Sequence, residues 1–124
     1  MASVGPIEKL HSSYKDKAHI YVVYIREAHP DMPRNKFNIP QPKTLEERQK
    51  VAREFAEALK LSLPIFVDSM EDEVGKAYSA WPDRLYVIDA EGKIALKGGV
   101  GPRGFSPAVK AAPGVLDKLL EAAK

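Results

Sequence analysis

The sequence predicts an α/β protein, a mixed sheet flanked by helices, and three observations carry that expectation. Segments whose apolar residues recur every three or four positions alternate with short runs rich in Val, Ile, Tyr and Phe, the alternation that builds parallel crossovers. Two further apolar runs are joined by Asp89-Ala90-Glu91-Gly92, which adds an antiparallel hairpin. The 124 residues, 44% of them hydrophobic, are the length of a single domain and suffice for one core.

Ile7, Leu10 and Tyr14 fall at spacings of three and four behind Pro6, the pattern of an amphipathic helix entered at a proline. Ile20-Tyr21-Val22-Val23-Tyr24-Ile25 has no polar interruption and is expected as a central strand covered on both faces. Between Arg26 and Lys43, Pro30, Pro33, Pro40 and Pro42 exclude regular structure, and so long a loop inside a compact domain points to function. Thr44-Leu45-Glu46-Glu47 is a capping box. Val51, Ala52, Phe55, Ala58 and Leu59 carry the next helix to about Lys60, its Glu, Lys and Arg residues forming a solvated outer face. Leu63–Val67 is a short strand with Pro64 near its start, and Asp68-Ser69 caps a short helix through Ala77 or Tyr78. Leu85–Ile88 and the alternating run Lys93–Lys97 form the hairpin, the second strand a half-exposed edge. Gly98, Gly99, Gly101, Pro102 and Gly104 make a tight loop, and Ser106-Pro107 opens a last helix interrupted at Pro113-Gly114. A thioredoxin-like fold is the compact arrangement that fits this order.

Composition removes several function classes. Nineteen Lys and Arg against 17 Asp and Glu leave a net charge of +2 with the signs interspersed, so nothing favours nucleic acid. There is no cysteine, which excludes disulfides, cysteine-zinc sites and thiol nucleophiles. No stretch of 18 apolar residues and no leader pattern occurs, so the chain is expected to stay off membranes and in the cytoplasm.

Particular residues then carry a resemblance. Tyr24-Ile25-Arg26-Glu27-Ala28-His29-Pro30, Asn38-Ile39-Pro40-Gln41-Pro42, Pro64-Ile65-Phe66-Val67-Asp68-Ser69-Met70, Ala80-Trp81-Pro82-Asp83-Arg84-Leu85-Tyr86-Val87-Ile88 and Lys97-Gly98-Gly99-Val100-Gly101-Pro102 together resemble the iodothyronine deiodinase family, bacterial deiodinase-like members above all. The resemblance implies a thioredoxin-like fold and reductive removal of iodide from an iodinated phenolic ring by a selenocysteine or cysteine. That nucleophile follows a strand and starts the helix that begins here near Pro6. Neither is present, so a deiodinase-like domain shortened at its N-terminus by one central strand is expected. In the family's fold the strand would lie between Ile20–Ile25 and Leu85–Ile88. Its loss leaves two apolar edges or forces them to pair, and a homodimer through an exposed edge or the N-terminal helix is expected. Arg26 stands where vertebrate members carry an acidic residue, Pro42 where they carry a histidine, and the loop after His29 is shorter. These departures bear on substrate recognition.

Five residues are candidates for a site. His29 follows the end of the apolar strand, where α/β ligands bind, and Glu27 is placed to set its tautomer as an acid–base pair. A loop histidine bonded to backbone is the plainer alternative. Arg103, in Gly-Gly-Val-Gly-Pro-Arg-Gly, is placed to hold a carboxylate or phosphate, unless the loop is a simple strand-to-helix turn. Pro82 stands where thioredoxin-like folds carry a cis-proline, and Trp81 beside it is core or pocket wall. The histidines lack metal-ligand spacing, Asp68, Glu71, Asp72 and Glu73 suit a helix N-terminus, and no metal or cofactor is implied. Three functions remain: a redox-inactive deiodinase-like binding or structural domain, a non-thiol enzyme using Glu27 and His29, and a dimerising module. The ligand in the first case is a small aromatic or anionic molecule.

Overall fold

Behind Val4, Pro6 occupies the first turn of a helix, where its missing N–H breaks no hydrogen bond, and α1 runs Val4–Tyr14. The computed structural model describes residues 4–26 and 41–123. Seven further elements follow: β1 (Val22–Tyr24), α2 (Leu45–Ala58), β2 (Ile65–Val67), α3 (Glu73–Ala77), β3 (Tyr86–Ile88), β4 (Ile94–Lys97) and α4 (Phe105–Ala122). The architecture is mixed α/β with small sheets flanked by helices. The chain divides into two compact units, one of Met1–His19 and Asp83–Lys124, the other of Ile20–Pro82.

In the first unit β3 and β4 form the expected antiparallel hairpin, with a register shift between Val87 and Ile88. The Asp89 carboxylate accepts from the N–H of Glu91 and of Lys93, and Gly92 takes the positive φ (83°) that closes the turn. The hairpin and α1 both pack on α4, and Leu10, Tyr14, Val87, Ala108, Val109, Ala112 and Leu116 form the core. Ala112 is fully buried. Contrary to expectation, α4 is not interrupted at Pro113. Proline deletes one helical hydrogen bond, but the buried stripe from Ala108 to Leu116 spans it and holds both halves to the same neighbours. The Tyr14 hydroxyl secures the site further, meeting the Pro113 carbonyl at 3.2 Å and the Asp117 carboxylate at 2.6 Å. The bond to Asp117, with burial, raises the phenol pKa, so this link contributes below the ordinary tyrosine range and is lost as alkaline pH passes the folded value.

The turn into α4 needs glycine for space. A methyl group on Gly104 would overlap the backbone carbon and oxygen of Gly99, and one on Gly98 would stand 2.6 Å from the Ala108 side chain and 2.7 Å from the Leu85 carbonyl oxygen. Since the Gly99 backbone cannot swing aside as a side chain would, Gly104→Ala is expected to destabilise by about 2 kcal/mol or more. An unchanged urea midpoint for that variant would refute this packing. Asp83, at the same turn, accepts the Gly101 N–H on its carbonyl at 2.8 Å. One oxygen of its carboxylate is buried with no partner among the described residues, and burial raises its pKa. A raised carboxylate pKa contributes stability below the unfolded value and loses it as pH rises through the folded one, so ionised Asp83 opposes folding at neutral pH. Asp83→Asn is therefore expected to melt higher than wild type at neutral pH, the gain disappearing below about pH 4. A lower neutral melting temperature would contradict it.

In the second unit β1 and β2 pair in parallel, Val22 opposite Ile65 and Tyr24 opposite Val67. Thr44 caps α2 as expected, accepting the Glu47 N–H at 3.1 Å, but the Glu47 carboxylate reaches the N–H of Lys43 rather than that of Thr44. α2 packs on β2, with Ala52 buried and Phe55 beside the Tyr24 ring. The six-residue apolar run is only partly a strand, and it is not central. Its partner β2 is three residues long, so the ladder stops at Tyr24, and no further strand hydrogen-bonds to β1 among the described residues. Tyr21 and Phe66, edge to face at 4.9 Å, are each 54% exposed, so the face covered on both sides in the sequence reading is open here. Among the described residues β3 pairs with β4 alone.

Candidate functional site

The site lies in the second unit, where the chain leaves β1 and passes the short helix α3. Its geometry starts from Asp68, which follows β2 and is 2% exposed. The Asp68 carboxylate accepts three backbone N–H groups, those of Ser69 at 2.8 Å, Val74 at 2.9 Å and Gly75 at 2.8 Å. Asp68 thus caps α3 as expected, but from six and seven residues upstream, because the helix starts at Glu73 and its adjoining residue Asp72 sits in the left-handed region with no side-chain cap.

Arg48 locks the same segment from α2. Its Nη1 donates to the Ser69 carbonyl at 2.7 Å, and its Nη2 stands 3.1 Å from Asp72 Oδ1. The sequence reading placed the α2 charges on a solvated face, and for Arg48, 2% exposed, that is corrected. The signal was present in the spacing: Arg48, Ala52 and Phe55 share one helical face, the one that packs on the sheet. Asp72 likewise serves Arg48 rather than the end of α3.

With that loop held, Ile25, Arg26, Asp72, Gly75, Lys76 and Trp81 line a half-open pocket of about 110 Å³. The Arg26 guanidinium lies 4.8 Å from the centre of the Trp81 ring. Trp81 is 45% exposed, a pocket wall rather than core. The Trp81–Pro82 peptide is cis, as the resemblance implied, and Gly101–Pro102 is cis as well. Of the sequence candidates, Trp81 and Pro82 stand at this pocket's end of the unit. Arg103 is exposed on the turn before α4 in the other unit. Glu27 and His29, with the proline-rich loop, lie outside the described residues. Arg26 and Lys76, which line the pocket, were not among the sequence candidates: Arg26 stood out only as a departure from the vertebrate motif, and nothing local in the sequence joins it to Trp81. Among the described residues no group of three His, Asp or Glu side chains forms a metal site, and no helix is long and apolar enough to cross a membrane.

These features define a mixed α/β domain with a cis-proline after an exposed aromatic, and comparison with known proteins makes the class specific. The profile of the iodothyronine deiodinase family matches residues 1–119, and the chain belongs to that family. It is 33% identical over 107 residues to the type I iodothyronine deiodinase of Xenopus laevis, covering 84% of this chain and 42% of that protein. It is 34% identical over 109 residues to the thyroxine 5-deiodinase of Gallus gallus, with 85% and 42% covered, and 33% identical over 112 residues to that of Homo sapiens, with 85% and 35% covered. The chain thus spans less than half the length of these relatives.

Proposed function

We propose that this chain is a single thioredoxin-like domain of the deiodinase family that works by binding a small ligand beside Trp81 rather than by redox chemistry. The absence of cysteine carries the reading: the chemistry implied by the resemblance needs a selenol or thiol, and these 124 residues contain neither. Incubated with 4-iodophenol and dithiothreitol, the purified chain is expected to release no more iodide than a protein-free blank. Release above that blank overturns the reading.

Self-association is a second reading, favoured by the strand edges. Among the described residues β1 and β3 each pair on one side only, and Tyr21, Phe66, Ile88 and Ile94 are exposed on or beside these sheets. A second copy adding a strand to such an edge would satisfy its backbone groups and cover the aromatic pair. Light scattering is expected to return twice the 13.7 kDa chain mass. A monomer throughout the micromolar range removes this reading.

A further inference from the structure

We propose that the pocket between Arg26 and Lys76 takes an oxyanion, a carboxylate or phosphate group, with the rest of its carrier lying over the exposed part of Trp81. The inference rests on the binding reading above and adds the chemical class of the ligand. Charge is the first argument. Of the three ionisable side chains lining the pocket, Asp72 is paired by charge with the buried guanidinium of Arg48 at 3.1 Å, although its Oδ1 accepts no hydrogen bond among the described residues, whereas Arg26 and Lys76 form no ion pair with another described residue. Two cations therefore face one small space, and an anion between them relieves their repulsion while gaining both attractions.

Size is the second argument. A volume of about 110 Å³ is well under the roughly 300 Å³ or more of drug-sized ligand sites. A single carboxylate or phosphate group fits; a whole larger ligand does not. The walls supply the third. Ile25 and the Trp81 ring present carbon to the pocket, which lowers the local dielectric and strengthens any ion contact inside it. A guanidinium held by its charge 4.8 Å from the centre of an indole ring also has N–H donors to offer an oxyanion in paired bonds.

Trp81 is the single tryptophan, so intrinsic fluorescence reports directly on this pocket. The full chain is titrated at neutral pH with inorganic phosphate, with benzoate, and with neutral 4-iodophenol. A saturable change with phosphate or benzoate is expected, weakened about tenfold in both Arg26→Gln and Lys76→Gln and unaltered in Lys110→Gln. The stronger anion identifies the source, phosphate for a phosphorylated ligand and benzoate for a carboxylate on a flat ring. Both substituted side chains are exposed, and an unchanged circular dichroism spectrum verifies that each variant folds. Equal weakening in Lys110→Gln, or saturation by neither anion, overturns the proposal. Saturation by 4-iodophenol alone leaves the binding reading standing without the anion, and saturation by no probe removes both.

Discussion

Asp68→Ala is expected to destabilise the chain by about 4 kcal/mol in urea unfolding, the largest loss of any single substitution described here. The Asp68 carboxylate is buried and accepts three backbone N–H groups, two of them from the first turn of a five-residue helix too short to hold itself. Alanine leaves those donors unpaired in a site with little access to water, and each hydrogen bond to a charged acceptor is worth about 1.5–3 kcal/mol. Asp68→Asn keeps one acceptor oxygen and is expected to lose about half as much. Because α3 supplies Gly75 and Lys76 to the pocket, the alanine variant is also expected to lose its fluorescence response to phosphate under conditions where it remains folded. A stability within about 0.5 kcal/mol of wild type would show that α3 does not depend on this cap.

What was legible in the sequence was what short-range chemistry decides. The Thr44 cap, the Asp89 turn and the apolar period of α1 each depend on residues a few positions apart, and each stands in the structure where it was read. Strand length was not legible at β1, because a ladder is as long as the shorter of its two strands, and six apolar residues say nothing about β2. Pro113 misled for a related reason: its local cost is real, and packing from Leu10 and Tyr14 of a distant helix outweighs it. Of the candidate site, Trp81 and Pro82 were visible through their motif, but Arg26 reaches Trp81 across 55 positions and Lys76 joins them only because Asp68 anchors α3. Contacts of that range are written in the fold, not in spacing.

Arg48→Met is expected to cost about 3 kcal/mol, toward the lower end for breaking a buried ion pair, because Asp72 keeps partial contact with water once its partner is gone. Methionine preserves most of the side-chain volume, so the loss reads the ion pair with Asp72 and the bond to Ser69 rather than a cavity. The consequence for binding separates a structural from an electrostatic role. With Arg48 absent, Asp72 stands at the pocket as an unmatched negative charge beside Lys76, and phosphate is expected to bind several-fold more weakly in the variant that remains folded. Adding Asp72→Asn removes that charge and is expected to restore most of the phosphate affinity, with a coupling between the two substitutions of about 1–2 kcal/mol in stability. Additive stabilities and no recovery of binding in the double variant would mean that Arg48 holds the loop but does not shield the pocket, and the matching of Asp72 by Arg48 would then no longer support an anion between Arg26 and Lys76.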